Sequence, residues 1–389
     1  MELMSIPLAI QVVLDDAGWW TGTRGPGEHD PWRSGIERNH HPLDYEAIAQ
    51  LGKQLGMRVQ ASFILSEWDL TDRLKAIPDS THMGERWSNP WKSSPLLQEA
   101  ASVIRRESSS IEVGLHGIGH EYWGNGGVLE RAEWHDKTGN MRPRASVLSH
   151  LQAFAAILEE NDLGPFPESF VATAHQHHFG AGEDGLASIL GQFGVKYHSL
   201  PFAGMPRSRE PESELFGFDG PLIAVNRGLD LHDWNEIAPN VSGEITGPVC
   251  GMHWPNLIHP DPERNGEVVG RWVKLLEPYQ RKFDTMLAAN TAEGFSQAVY
   301  RSMVDLREQS SGCLLDFSRL SGAQTAGLRD EFIIKVKPRV RILSSSPEID
   351  LFENARLSTT DYRTVVVRRK NDAKTGVIHW ALGEKEERK

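Results

Sequence analysis

The sequence predicts an α/β fold built on a parallel sheet. Short apolar segments rich in Val and Ile alternate with longer amphipathic segments along most of the chain. Nearly continuous hydrophobicity is typical of strands whose sheet is covered on both faces. Regular alternation of strands and helices makes the helices crossovers between parallel strands. About seven strands indicate a distorted (β/α) barrel with slightly fewer than the usual eight repeats.

Each predicted element has its own local signal. The strands are expected at residues 8–14, 58–65, 111–116, 169–173, 195–199, 222–226 and 249–253. The helices are expected at residues 44–55, 95–106, 144–159 and 185–193, with two longer ones at 267–288 and 292–308. Gly56 and Gly194 stand where a left-handed residue would end a helix.

The sequence changes in character past Arg329. Short β-prone segments at residues 332–336, 339–343, 364–367 and 377–381 predict a small antiparallel unit. We therefore expect a barrel domain at residues 1–310 and an accessory β domain at residues 311–389.

Composition excludes several classes of function. The net charge of −12 without a basic block argues against nucleic-acid binding, which needs clustered Lys and Arg. The two cysteines, Cys250 and Cys313, exclude a disulfide framework. The sequence has neither an apolar run of roughly 20 residues nor a signal-peptide pattern. We expect a cytoplasmic protein with a small-molecule or carbohydrate substrate, no membrane partner and an oligomeric state left open.

Carboxylates and histidines follow two predicted strands. The first strand ends at Asp15 and Asp16, and a bound cation would explain two adjacent carboxylates that otherwise repel. A helix cap or a solvated turn is the alternative. The third strand ends at His116, and we place His120 on a loop because glycines at 117 and 119 disfavour a helix there. One carboxylate and two imidazoles form a three-ligand site for a divalent ion.

Another histidine, His253, ends the last predicted sheet strand. It is expected at the same end of the barrel, where it would act as a proton shuttle. A nucleophilic pair with Cys250 is disfavoured, because positions 250 and 253 point to opposite faces of a strand. Trp20, Trp123 and Trp254 lie within a few residues of the strand ends that would form the open end of the barrel. They suit the C–H face of a sugar ring, or else they seal loops onto the barrel.

These motifs, in this order, resemble the polysaccharide deacetylase superfamily (NodB homology, carbohydrate esterase family 4). The resemblance implies that Asp15 is the general base and that His253 is the acid protonating the leaving amine. It implies that Asp16, His116 and His120 hold the metal ion. It covers roughly residues 5–260 and implies a NodB-like barrel.

Two further features compare with the same family. Residues 229–234 resemble its Asp-x-x-Asp-Trp motif, whose members brace the catalytic histidine and line the pocket, so Asp233 and Trp234 are expected to contact substrate. The family's Arg-Pro-Pro segment, whose Arg pairs with the base, has no counterpart near Phe170. His175 is expected to orient the base or touch substrate.

Whether His175, His177 or His178 replaces the missing Arg stays open. His177 or His178 could also enlarge the metal site, although a surface position or a contact with substrate is favoured. The pattern predicts a metal-dependent hydrolase that removes an acyl group, such as acetyl, from an amide nitrogen of a sugar or related substrate. Zinc is the default ion, and cobalt, nickel, manganese and iron also fit these ligands. Two alternatives are a hydrolase of a non-sugar C–N bond, such as a formamide or cyclic ureide, and a catalytically silent carbohydrate-binding protein on the same fold.

Overall fold

The structure is a computed structural model that describes residues 2–23, 30–124, 127–320, 327–354 and 357–383. The strands of the α/β part are β1 (Met4–Ser5), β2 (Leu8–Ala17), β3 (Val59–Ile64), β4 (Ile111–Gly117), β5 (Tyr122–Gly124), β6 (Gly127–Glu130), β7 (Ser169–Phe170), β8 (Tyr197–Leu200), β9 (Phe216–Asp219), β10 (Leu222–Asn226), β11 (Val249–His253) and β12 (Thr285–Leu287). The helices are α1 (Pro42–Leu55), α2 (Pro95–Arg106), α3 (Arg144–Glu160), α4 (Leu186–Gln192), α5 (Trp254–Leu257), α6 (Asn265–Arg281) and α7 (Thr291–Met303). Within the described ranges, no helix combines the length and apolar character needed to cross a membrane.

One large sheet organises this mixed α/β part. Parallel pairing joins β11, β2, β3, β4, β7, β8 and β10 in that order, and β9 adds antiparallel to β10. Strand β12 branches from β2. Over the described residues the sheet curls into a half-barrel with β11 and β9 at its ends, which is consistent with a distorted barrel. The carboxyl ends of the central strands therefore meet along one rim.

Several predicted elements are found with the predicted bounds, among them β10, β11 and α2. Two predicted helices are too long. Helix α6 ends at Arg281, because Met286 and Leu287 are instead buried in β12 beside β2. Helix α7 ends at Met303, because the residues that follow it pair as a strand. In both cases sheet pairing outweighs local helix propensity.

The remaining strands form two antiparallel sheets. They are β13 (Asp305–Gln309), β14 (Gly312–Asp316), β15 (Glu331–Val336), β16 (Val340–Ser345), β17 (Ile349–Glu353), β18 (Arg363–Arg369) and β19 (Thr375–Leu382). One sheet has the order β1, β15, β18 and β17, so the N-terminal β1 pairs with β15. The other has the order β13, β14, β19 and β16. One apolar cluster joins Val13, Phe295 and Ile334 across both parts of the chain. The domain boundary at residue 311 stays a prediction.

Candidate active site

The end of β2 carries both aspartates to the rim. A regular strand would point Asp15 and Asp16 to opposite faces. Here the pairing of β2 with β3 shifts register between Leu14 and Ala17, and Asp16 has a left-handed φ of 65°. This bulge changes the direction of the second carboxylate. Each aspartate consequently reaches histidines at the rim, although the two belong to different groups.

Asp16, His116 and His120 form the first group, which we call the ligand triad. One Asp16 oxygen, Oδ1, lies 3.2 Å from Nε2 of His116 and 3.7 Å from Nε2 of His120. Asp16 and His116 are buried, whereas the His120 side chain is 14% exposed. The predicted ligands are thus brought together, with one member at the surface.

Backbone contacts orient His116. Its Nδ1 lies 2.8 Å from the carbonyl oxygen of Val171, which leaves Nε2 directed at Asp16. The indole of Trp134 donates a hydrogen bond of 2.7 Å to the carbonyl of His116. A ring held through its second nitrogen is typical of metal-binding histidines.

Glu133 binds the backbone of the loop that carries His120. Its carboxylate accepts hydrogen bonds from the backbone N–H groups of Ile118 at 2.9 Å and Gly119 at 3.2 Å. A Cβ on Gly117 would lie 2.2 Å from Glu133, so glycine permits this close approach. His120 follows in a left-handed conformation with φ of 68°, outside the strand as predicted. Left-handed non-glycine residues recur at functional sites.

Glu133 is in turn held by a buried histidine. Nδ1 of His150 lies 2.7 Å from Glu133, and its Nε2 lies 3.2 Å from Asp79. Burial disfavours the charged ring, but the hydrogen bonds to Asp79 and Glu133 outweigh it and raise the pKa of His150 to about 9. The Asp79–His150–Glu133 chain therefore supports the loop that carries His120 through buried charged groups.

Asp15, Arg227, Asp230 and His253 form the second group, which we call the ion network. Nη1 of Arg227 lies 2.9 Å from Oδ2 of Asp15, and its Nε lies 2.9 Å from Oδ1 of Asp230. The other Asp230 oxygen is 3.5 Å from Nδ1 of His253. Asp15 and His253 are register partners across β2 and β11. A single guanidinium thereby connects the predicted base to the partner of the predicted acid.

Arg227 bears on the open question of what replaces the family's missing Arg. The guanidinium reaches Asp15 from the residue that follows β10 instead of from the segment after β7. His177 pairs with Asp219, and His178 contacts Gly139 and Ser208, so neither one orients the base. The available signal was an Arg directly after a buried strand and three residues before an Asp.

His175 lies near Asp15 because the backbone after β7 leaves the strand conformation. Strand β7 ends at Phe170 rather than at the predicted residue 173, and Ala174 and His175 both take left-handed φ values. Ligand atoms of His175, Asp15 and His253 lie within 4.8 Å of one another. The Arg227 cation beside Asp15 opposes a metal ion in this group, so we group His175 with the ion network.

The electrostatics of the two groups differ. Burial raises the pKa of Asp15, and the Arg227 charge only partly offsets it. Burial also acts on Asp16, but the adjacent imidazoles of His116 and His120 outweigh it and hold the pKa of Asp16 well below its usual range. Burial lowers the pKa of His120 to about 4, which keeps its ring neutral. A neutral imidazole beside a carboxylate is the state that binds a metal ion.

The ligand triad fits a divalent ion on the chemistry of its donors. Oδ1 of Asp16 is buried without a hydrogen-bond partner and faces two imidazole nitrogens. A buried, unsatisfied carboxylate oxygen is costly unless a cation or donor meets it. One oxygen and two nitrogen ligands with a partly open side are typical of catalytic zinc and similar ions.

Most of the predicted tryptophans do not present a binding surface. Trp20 and Trp254 are fully buried, and Trp123 is 3% exposed. Trp20 packs against Tyr45 and Trp68, and the Trp254 indole donates to His40. The expectation that these three indoles contact substrate does not fit their burial; they seal loops onto the sheet.

Trp234 differs, because it is half-buried and contacts a second half-buried indole, Trp32, with ring centroids 4.3 Å apart. The backbone N–H of Trp32 donates to Glu121, the neighbour of His120, at 2.6 Å. This indole pair therefore lies beside the loop that carries His120. Asp233 is exposed, and its contact with substrate stays a prediction.

Comparisons with known proteins give only distant similarity. No protein-family model matches the sequence, and no curated protein matches it. The structure is similar to a family 4 carbohydrate esterase from Streptomyces lividans, with 12% identity, a TM-score of 0.32 and coverage of 69% of this chain and 88% of the other. A protein described as a polysaccharide deacetylase from Mycobacterium smegmatis gives 13% identity, a TM-score of 0.37 and coverage of 66% and 78%.

A GH57-type branching enzyme from Pyrococcus horikoshii gives 13% identity, a TM-score of 0.33 and coverage of 58% of this chain and 47% of the other. All three TM-scores lie below 0.5 and support no conclusion about this chain. Any assignment of function therefore depends on the geometry of the rim.

Proposed function

We propose that this chain is a metal-dependent hydrolase that removes an acyl group, acetyl in the first instance, from an amide nitrogen of a sugar or related molecule. On this proposal it is a divergent member of the polysaccharide deacetylase superfamily with a NodB-like barrel. The observation that carries the proposal is the adjacency of the two groups. The ligand triad begins at Asp16, and the ion network begins at the neighbouring residue Asp15. A binding module has no need of a metal site, a base and an acid at one rim.

Asp16, His116 and His120 would hold the ion. A divalent ion in such a site supplies Lewis-acid activation of water and of the amide carbonyl. Zinc is the first choice for these ligands, and cobalt, nickel, manganese and iron are compatible with them.

Proton transfer would be performed by the ion network. Asp15, the base, accepts the proton of the attacking water, and Arg227 stabilises the ionised carboxylate. His253, the acid, donates a proton to the departing nitrogen, and Asp230 orients its ring. Amide nitrogen is a poor leaving group, so bond cleavage needs this second proton transfer.

The Trp32–Trp234 pair supports a sugar-like substrate. Half-exposed indoles offer a flat apolar surface with a polar N–H, which suits the C–H face of a sugar ring. No specific observation favours a formamide or a cyclic ureide, but both keep the same chemistry at the carbonyl.

Metal content is the first test. Elemental analysis would compare the wild type with His116→Ala, His120→Ala and the control His379→Ala, whose histidine is exposed on β19. We expect both triad variants to lack an ion that the wild type and the control retain, together with loss of turnover. If the triad variants keep as much metal as the control, the assignment of the ligand triad is wrong.

Product analysis identifies the bond. Acetylated amino sugars, formamides and cyclic ureides would be incubated with metal-loaded enzyme, and acetate, formate and ammonia would be measured. Acetate release from a sugar, absent in Asp15→Asn, supports the proposal. Formate or ammonia release would move the assignment to a non-sugar C–N hydrolase, and sugar binding without any release would indicate a silent binding protein.

A further inference from the structure

A second cluster of metal-ligating side chains lies away from the rim groups. One ring nitrogen each of His177 and His198 and one carboxylate oxygen of Asp219 lie within 4.8 Å of one another. All three residues are buried. His198 is on β8, Asp219 ends β9, and His177 belongs to the loop after β7. Long-range folding alone brings these residues together.

The hydrogen bonding of this cluster is incomplete. Nε2 of His177 lies 2.6 Å from Oδ2 of Asp219, and the other Asp219 oxygen accepts the backbone N–H of Gly180 at 2.9 Å. Both ring nitrogens of His198 are buried without a partner, as is Nδ1 of His177. A buried ring with neither nitrogen satisfied is unfavourable, because at least one nitrogen of a neutral imidazole is a donor.

A third imidazole stands beside the cluster. The ring of His135 is 5.1 Å from that of His177 at a steep angle, and its Nδ1 is also buried without a partner. The cluster and its neighbour therefore offer imidazole nitrogens and a carboxylate oxygen, which are ligand types that zinc takes in proteins.

We propose that His177, His198 and Asp219 bind a second, structural divalent transition-metal ion of the zinc class, with His135 next to it as the candidate fourth ligand. Neighbouring ligand atoms around a tetrahedral zinc ion lie about 3.4 Å apart, so side-chain shifts of about an ångström suffice. The ion would satisfy His198 and link β8, β9 and the loop after β7.

The position of the cluster explains what such an ion would do. Strand β9 is an end strand of the half-barrel over the described residues, and it pairs only with β10 there. An ion on Asp219 would fasten this edge to β8 and to the loop after β7. That loop also carries His175, two residues before His177. The second ion would be structural, since a closed shell leaves no position for substrate.

Metal counting separates this proposal from the proposed function. Elemental analysis would be made on wild type, His116→Ala, His198→Phe and the double variant, all purified from zinc-supplemented culture, with His379→Phe as control. We expect about two ions per chain in the wild type and control, about one in each single variant and none in the double variant. One ion in the wild type and none in His116→Ala would overturn the second site and leave the ligand triad intact. The reverse, one ion lost only in His198→Phe, would support the second site and sink the catalytic one.

Stability gives a second measurement in case His198→Phe fails to fold. In the His116→Ala chain, we expect a chelator such as dipicolinate to lower Tm by several degrees and zinc to restore it. An unchanged Tm would overturn the proposal. So would a His198→Phe chain that keeps its metal and melts higher, because this result would make His198 an unsatisfied core residue that an apolar ring improves.

Discussion

The ligand triad and the ion network lie side by side at one rim but are held in different ways. The triad depends on backbone contacts, with His116 held by the Val171 carbonyl and the His120 loop held by Glu133. The network depends on one buried guanidinium between two carboxylates. On the proposed function, the ligand triad binds the ion and the ion network sets protonation. Substitutions on the two sides should therefore fail in different ways.

The sharpest contrast uses two neighbouring residues and one substitution. We expect Asp16→Asn to lose the ion and, with it, detectable turnover. We expect Asp15→Asn to keep the ion and to lower kcat by about 10²- to 10⁴-fold, the usual contribution of a general base. Elemental analysis and kcat on the same preparations check both. If the two variants lose metal equally, the two groups are a single unit and the comparison fails.

Arg227→Gln tests the ion network without replacing the proposed base or acid. Arg227 lowers the pKa of Asp15 against the effect of burial, so its removal raises that pKa further. A base acts when deprotonated, and activity is lost as pH falls through its pKa. The acidic limb of the kcat/KM profile should therefore move to higher pH.

The control for this experiment is Arg264→Gln, which removes a surface partner of Glu267. Circular dichroism would show that both variants are folded, since loss of a buried ion pair also destabilises. An acidic limb that stays in place in Arg227→Gln would mean that Arg227 only stabilises the fold.

The two sides also differ in how well the sequence predicts them. His116 and His120 are predicted from their spacing of four residues at one strand end, together with the Asp15–Asp16 pair that ends an earlier strand. Arg227 acts on Asp15 across the sheet, and no short motif records that pairing. Without it, the sequence points to histidines near 175, of which His175 alone lies near Asp15.

The fold shows the same limit. Strands such as β10 and β11 were predictable because their apolar runs have the length and composition of buried strands. Strand β12 was not, because Met286 and Leu287 read as the end of a helix and only pairing with β2 makes them a strand. The burial of Trp20 and Trp254 was also not predictable, because an indole that is close to a strand end in sequence can still point into the core.

The Asp79–His150–Glu133 chain allows a test of the triad's support through stability. Because the pKa of His150 is raised to about 9 by its partners, the stabilisation is complete below the unfolded pKa of about 6.5 and is lost as pH rises through about 9. The pKa difference corresponds to about 3 kcal/mol. The free energy of unfolding of metal-free wild type should therefore exceed that of His150→Gln most at pH 6 and approach it at alkaline pH.

Urea unfolding at several pH values measures this difference, and His379→Gln serves as the exposed-histidine control. A gap between wild type and His150→Gln that does not change with pH would show that His150 is neutral in the folded chain. The loop carrying His120 would then be held by Glu133 alone.

The smallest expected effect lies on the Trp32–Trp234 pair, outside both groups. A contact made equally in the ground state and the transition state changes KM and leaves kcat alone. Removing one aromatic contact is worth about 0.5–1.5 kcal/mol, so Trp234→Ala should raise KM for a sugar substrate about two- to tenfold. Phe352→Ala, which removes an exposed ring from β17, is the control. A lower kcat at unchanged KM would instead place Trp234 among the groups that organise the reaction. The rim would then have a third functional group beside the ligand triad and the ion network.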